Sequence, residues 1–188
     1  MQFKLLSFLI LLCFFSNGQV GRPQLDSKKY VIIRLNKKFD SSVNKKVLEA
    51  EINQKDIDKL NEPLRALCAY YSAYSGSGCD RDGKCPLTTA LGLGNQGSDE
   101  HKKILIKWFP NDSIVQRMID QNCFVGISGA NSFCEYNTLS FEQRQDTVII
   151  NYSISCWNRG SGPQYKGYDK ILIKDNQIIF ITRRERKV

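Results

Sequence analysis

Histidine is almost absent from this chain, and its scarcity excludes several kinds of chemistry. His101 is the only histidine among 188 residues. Paired-histidine catalysis, multi-histidine metal centres and zinc sites of the H-E-x-x-H type are therefore ruled out. His101 falls in the first turn of a charged helical segment, so we expect it to be solvated at the surface. The sequence predicts no catalytic residue, no metal site and no cofactor.

Long apolar runs are also missing, with one short exception at the start of the chain. Leu5 to Phe15 form an apolar run after Lys4, and small or polar residues follow up to Gln19. A membrane-spanning helix needs about 20 apolar residues, whereas a secretory leader has this shorter form. We therefore predict a signal peptide over residues 1–19, a single domain over residues 20–188 and no transmembrane segment after cleavage. The predicted location is secreted or periplasmic.

The cysteine count fits export. Seven cysteines are present, and six remain once Cys13 leaves with the leader. An even number in an exported chain predicts up to three disulfides. Cys79 and Cys85 bracket a short turn and can close locally, whereas Cys68 lies on an apolar helix stripe and is either bonded or part of the core. The candidates are Cys68, Cys79, Cys85, Cys123, Cys134 and Cys156.

Helical signals occupy the middle of the chain. Apolar residues recur at three- and four-residue steps from Ile57 to Tyr71, which predicts a helix over residues 62–75. Ser98 is a capping residue for a second helix that ends before Pro110, and Asp112 or its neighbour Asn111 can cap a third. In the N-terminal part, residues 29–35 are predicted to form a strand. Residues 43–52 have apolar spacing that suits either a helix or a strand, and we predict a strand or irregular structure.

The C-terminal part reads as strands. Residues 132–141, 147–157, 168–174 and 177–184 are extended runs, and Asp175-Asn176 is a two-residue hairpin turn. Consecutive hairpins leave no room for crossover helices, so the strands should form a four-stranded antiparallel meander. We predict a disulfide-stabilised α+β fold in which an N-terminal strand and the helices pack on this meander. In the last hairpin both faces carry isoleucines, so one face must be covered or presented to a partner.

The pairing of the first two meander strands bears on one disulfide. Matching Phe141 with Val148 aligns the apolar residues but places Phe133, rather than Cys134, opposite Cys156. A disulfide between Cys134 and Cys156 therefore requires a β-bulge or another register.

The order of helices followed by a meander, ending in the hairpin of residues 171–181, resembles cone-shaped α+β folds typified by nuclear transport factor two and, more loosely, cystatins. The resemblance covers about the last 60 residues and implies a fold only, because this topology serves many unrelated activities.

Two apparent ligand motifs lack their structural context. Gly92 to Gly97 fits G-x-G-x-x-G, but a helical turn precedes it and no βαβ unit follows, so we predict a connector and no dinucleotide. Asp80 to Gly83 begins like a calcium loop, but Cys85 and Leu91 occupy the positions that need glycine and glutamate.

A net charge of +8 points to acidic partners: an anionic envelope surface, a polyanion or an acidic protein. Nucleic acid is disfavoured because no compact basic run with interleaved stacking aromatics is present. The loop of residues 159–168 combines glycines with cations and tyrosines, a composition suited to contacting another surface. Its candidate binding residues are Arg159, Tyr165, Lys166 and Tyr168.

Two function classes follow from these observations. The first is an exported, non-catalytic binding module, of inhibitor or immunity type, that occludes a protein partner. The alternative is a small secreted hydrolase or ligand-binding protein with a pocket between helices and sheet. A filled core with an exposed apolar sheet face favours the first class, and a polar cavity under the helices favours the second.

Overall fold

The computed structural model describes residues 26–74, 86–120, 132–158 and 162–188. This part of the chain is a mixed fold in which short helices accompany a six-stranded antiparallel sheet. The predicted leader lies outside the described residues. So do three of the cysteine candidates, Cys79, Cys85 and Cys123.

The sheet contains the predicted meander and one further hairpin. Its order is β2-β1-β3-β4-β5-β6, so the four C-terminal strands are neighbours in sequence order as expected. We predicted that the N-terminal strand packs on a face of the meander. Instead, it hydrogen-bonds to β3 within the same sheet. Pairing satisfies the edge of β3, which packing on a face would have left open. The strands are β1 Ser27–Asp40, β2 Lys45–Ile52, β3 Ser132–Arg144, β4 Thr147–Asn158, β5 Gln164–Lys174 and β6 Gln177–Lys187.

The helices α2, α4 and α5 fall where the sequence predicts them, whereas the short helix α1 was not predicted. The Ser98 hydroxyl accepts the amide of His101 at 3.1 Å and begins α4, while Asp112 accepts the amide of Val115 at 3.1 Å and begins α5. Both bonds satisfy amides that have no partner within the helix. The helices are α1 Gln54–Ile57, α2 Glu62–Tyr74, α3 Pro86–Ala90, α4 Asp99–Trp108 and α5 Ser113–Asp120.

Tight turns fix the strand registers. Asp175 and Asn176 have φ of 51° and 57°, as in a type I′ turn, at the two-residue hairpin turn that the sequence predicts between β5 and β6. The β3–β4 turn also has two residues, and it pairs Phe141 with Ile150 instead of the predicted Val148.

A bulge then corrects the register further along β3 and β4. The pairing shifts between Tyr136 and Thr138, and beyond this shift Cys134 lies opposite Cys156. The prediction that Phe133 would face Cys156 is therefore wrong. The bulge that we named as a requirement for a Cys134–Cys156 disulfide is present.

The main core lies between α2 and one face of the sheet, which we call the helix face. Tyr71 of α2 packs against Phe141 and Tyr152, with ring centroids 6.2 Å and 5.8 Å apart. Leu139, Ile150 and Ile171 are fully buried on the same face. Among the described residues, none of the helices is long and apolar enough to cross a membrane.

Candidate functional site

The two faces of the sheet differ in chemistry because side chains alternate along each strand. In β5, Gly167, Asp169 and Ile171 are buried on the helix face. The residues between them, with their cross-strand neighbours, form the opposite face, which we call the distal face. Its polar residues are Thr138, Ser140, Asn151, Ser153, Lys166, Tyr168, Lys170, Thr182, Arg184 and Arg186.

Cations converge on β5 and β6 of the distal face. Lys166 lies directly opposite Arg186, and Tyr168 lies opposite Arg184. Like charges in opposite positions repel one another, so this arrangement opposes folding. None of Lys166, Lys170, Arg184 and Arg186 forms an ion pair with another described residue. The cations remain available to an external anion.

Hydroxyl and amide groups line the strands beside these cations. Thr138 and Ser153 share a hydrogen bond of 2.8 Å, and Asn137 donates to Ser155 over 2.7 Å. Thr138 and Ser153, together with the cations, line an open groove of about 1300 Å³. A groove of this size suits a segment of a macromolecule better than a small molecule, which needs an enclosed site.

The turn end of the distal face is apolar. Ile179 and Ile181 of β6 are 44% and 51% exposed, as the pattern of the last hairpin predicts. Exposed apolar residues beside polar groups are typical of protein interfaces.

The predicted loop is shorter than expected, because residues 164–168 form the start of β5, and the structure separates the predicted binding residues. Lys166 and Tyr168 lie on the distal face and line the groove. Tyr165 has the opposite orientation, is half-buried and lies opposite the buried Ile154. Arg159 lies outside the described residues. The sequence prediction omitted Lys170, Arg184 and Arg186, although the alternation along β5 and β6 would have placed them beside Lys166.

A second polar cluster is buried on the helix face. Asp169 is only 3% exposed, and its Oδ2 accepts the hydroxyl of Tyr71. Its Oδ1 has no hydrogen-bond partner within the described part of the chain. Burial raises the pKa of the Asp169 carboxyl, and burial followed by the charge of Asp169 raises the pKa of Tyr71. Ionisation of the Asp169 carboxyl therefore lowers the stability of the folded protein.

Arg183 closes the same cluster from β6. Its guanidinium donates to the Tyr70 hydroxyl over 2.7 Å and lies 3.6 Å from the centroid of the Phe180 ring. A small cavity of about 140 Å³ adjoins this arrangement, and its lining includes Tyr70, Tyr71, Tyr152, Asp169 and Arg183. Polar groups thus converge on a space that can hold a few waters or a small ligand.

Replacing Tyr71 with phenylalanine should destabilise the protein by about 1–3 kcal/mol, because it leaves the buried Asp169 carboxyl without this donor. The free energy of urea unfolding at neutral pH measures this loss. A change within about 0.5 kcal/mol, the usual range for surface substitutions, would show that the hydroxyl does not support Asp169.

Asp169 should also make stability depend on pH. Because its folded pKa is raised above the ordinary value of 3.8, the native state binds the proton more tightly, and this residue's contribution to stability falls as pH rises above that value. Asp169→Asn removes the ionisation but leaves Arg183 and Glu185 in place. Urea midpoints should therefore increasingly favour the variant between pH 4 and pH 7, and a pH-independent difference would contradict the expectation.

The structure contradicts the predicted exposure of His101 and decides between the two alternatives left open for Cys68. His101 is buried, not solvated: its Nδ1 accepts the Gly97 amide at 3.2 Å, so Nε2 carries the proton and donates to Ala69 O over 3.1 Å. Burial lowers the pKa of His101 and keeps it neutral while it joins α4 to α2. Cys68 is a free, fully buried thiol and not a disulfide partner, because its position on the apolar stripe turns it into the core.

Of the two apparent ligand motifs, Asp80 to Gly83 lies outside the described residues and the glycine motif has a structural role. Gly92, Gly94 and Gly97 have φ between 69° and 81° and form the connector between α3 and α4. The described residues contain no group of three or more His, Cys, Asp or Glu arranged to hold a metal.

The residues of the buried cluster escaped the sequence analysis because each looks ordinary alone. Asp169 lies two positions before Ile171 on the same strand, so both side chains face the same side of the sheet. The sequence therefore showed an acidic residue at an otherwise apolar position. Nothing in the sequence pairs it with Tyr71, which lies 98 positions earlier.

Comparison of this chain with protein families, curated proteins and solved structures finds no match.

Proposed function

We propose that this protein is an exported, non-catalytic binding module whose distal face docks on an acidic protein. The observation that carries the proposal is the set of cations around Tyr168, with Lys166 directly opposite Arg186 and no ion pair to another described residue. Repulsion within the free protein is relieved when carboxylates of a partner enter the groove. Electrostatic complementarity of this kind also accelerates association.

A protein partner fits the distal face better than a nucleic acid does. Tyr168 is exposed beside the cations, and Ile179 and Ile181 extend the same face with apolar surface. An aromatic and apolar centre with a polar or charged rim is typical of protein interfaces, whereas single strands need several stacking aromatics. An acidic partner surface with apolar residues at one end would complement both the cations and the exposed isoleucines of the distal face.

We propose that the protein is exported and that Cys134 and Cys156 form a disulfide. The Cys156 amide donates to Pro163 O over 3.0 Å, away from β3, so Cys134 and Cys156 form a non-hydrogen-bonded pair. The Cα atoms of such pairs are about 4.5 Å apart, within the range that a disulfide requires. With the leader-like N-terminus, this geometry supports a secreted or periplasmic protein.

The test is affinity capture from the culture fluid or periplasm of the host, with the oxidised protein as bait. A variant carrying Lys166→Glu, Arg184→Glu and Arg186→Glu should lose at least about 100-fold in affinity for a captured acidic protein, because like charges across an interface cost several kcal/mol. A control variant carrying Lys28→Glu, Lys55→Glu and Lys103→Glu has the same net charge and should retain binding. A partner that binds the first variant as well as the wild type would refute the distal face as the docking surface.

A second candidate function uses the cavity beside Asp169. Oδ1 has no hydrogen-bond partner among the described residues and adjoins a partly enclosed polar cavity, which favours a small ligand that donates a hydrogen bond, as in the alternative of a small hydrolase or ligand carrier. A melting-temperature screen of small polyols, amines and amides tests it: a ligand that stabilises the wild type but not Asp169→Asn would support a site there. No stabilising ligand, or equal stabilisation of both proteins, would count against it.

A further inference from the structure

The β1–β2 hairpin projects beyond the rest of the sheet. β1 pairs with β3 only as far as Ile33, and from there to the turn its sole partner among the described strands is β2. Residues 34–51, which we call the arm, are therefore a two-stranded ribbon. Such a ribbon is marginally stable in water unless something else packs or pairs with it.

One side of the arm is mainly apolar and continues the core outward. Ile33 lies opposite Ile52 at the base, and Leu35, Phe39 and Leu48 follow on the same side, with Lys37 opposite Leu48 and Lys46 opposite Phe39. Phe39 and Leu48 are 59% and 62% exposed. The other side is ionic, with Lys38 2.8 Å from Glu49 and Arg34 3.5 Å from Glu51. The arm is thus amphipathic, and its apolar side is uncovered within the described structure.

The outer edge of the arm has a charge pattern that complements itself. β2 reads K-K-V-L-E-A-E-I, with lysines at its start and glutamates near its end. If two copies of β2 pair antiparallel about Leu48, Lys45 lies opposite Glu51 of the partner subunit, twice by symmetry. The same register places Leu48 beside its own copy on the apolar side, and it keeps the two apolar sides aligned because opposite residues share a face.

The other edge of the sheet, β6, does not have a self-complementary charge pattern. β6 ends in Arg183, Arg184, Glu185, Arg186 and Lys187, but its first five residues carry no acid, so antiparallel pairing of two copies would leave the cations without opposite charges. Edge strands are usually protected by proline or by unmatched charge. β2 contains no proline, and six of its eight residues are exposed. Just beyond its end, Gln54 of α1 donates to Ala90 O of α3.

From these observations we propose that two copies of this chain associate through antiparallel pairing of β2 about Leu48. The pairing adds main-chain hydrogen bonds at an unpaired edge, as in β-augmentation, and brings the two exposed apolar stripes together. The apolar side of the arm belongs to the helix face, so the distal face remains accessible in the dimer. The proposal is independent of the function proposed above.

Sedimentation of the full mature chain tests the association. We expect a reversible monomer–dimer equilibrium with a dissociation constant in the micromolar range, and Lys45→Glu should raise that constant at least about tenfold, because it places like charges opposite one another at two symmetric positions. Lys45→Glu combined with Glu51→Lys should restore the dimer. Lys55→Glu, outside the arm, should leave it unchanged. A monomeric wild type at 100 µM protein, or a dimer unaffected by Lys45→Glu, would overturn the proposal.

Cross-linking tests the register. Leu48→Cys places two thiols on the symmetry axis, whereas Lys46→Cys places them four positions apart across the pair. A short bis-maleimide should therefore give several-fold more covalent dimer with Leu48→Cys. Equal yields from both variants, or preferential cross-linking of Lys46→Cys, would refute pairing about Leu48 even if a dimer forms.

Discussion

Replacing Gly167 with alanine is expected to cost about 3–5 kcal/mol of unfolding free energy, comparable to removing a buried aromatic side chain. Gly167 lies directly opposite Tyr152, whose ring crosses over the glycine. An alanine Cβ would occupy the space of the Tyr152 ring, so the ring must leave its site. The Tyr152 ring packs on Tyr71 and Tyr136, and both contacts would be lost.

The double variant distinguishes this clash from a general effect on strand β5. When Tyr152 is already alanine, Gly167→Ala should be nearly neutral or slightly stabilising, because glycine weakens strands on its own. Urea unfolding of the two single variants and the double variant gives the coupling energy. An unchanged cost of Gly167→Ala in the Tyr152→Ala background would show that the ring is not the obstacle.

Removal of the proposed Cys134–Cys156 disulfide is the second large effect. Replacing both residues by serine should destabilise the oxidised protein by about 3 kcal/mol, because the bond closes a loop of about 23 residues in the unfolded chain. Reduction of the wild type should produce a similar loss, and reductant should have little further effect on the double-serine variant.

Peptide mapping of the unreduced protein checks the bond itself. A cross-linked pair of peptides containing Cys134 and Cys156 is expected, with Cys68 recovered as a free thiol. Recovery of Cys134 as a free thiol from oxidised protein would contradict the pairing and would remove one support for export.

Much of the sheet could be predicted because its information is local. The turn at Asp175 and Asn176, the alternation along β5 and β6, and the caps at Ser98 and Asp112 each depend on a few adjacent residues. The register of β3 against β4 could not be read in the same way. Apolar matching favoured Phe141 with Val148, whereas a two-residue turn and a bulge determined the actual pairing.

The candidate sites depend on distant contacts, so the sequence revealed only parts of them. Lys166 and Tyr168 stood out in a glycine-rich loop, but Arg184 and Arg186 join them only through the β5–β6 pairing. His101 looked solvated among charged neighbours, yet its helix turns it toward Ala69. The pairing of β1 with β3 also depends on tertiary contacts, because the helices separate the two strands in sequence.

The central claim is that the cations of the distal face form the anion-binding surface of the molecule. Its most direct test is the affinity for a defined acidic polypeptide, poly-L-glutamate, measured at 50 and 200 mM salt for the wild type and two charge variants. The variant with Lys166→Glu, Arg184→Glu and Arg186→Glu should bind at least about tenfold more weakly at low salt and should lose most of the salt dependence. The control with Lys28→Glu, Lys55→Glu and Lys103→Glu should stay close to the wild type. If both variants weaken binding equally, net charge rather than the distal face governs the interaction, and the claim fails.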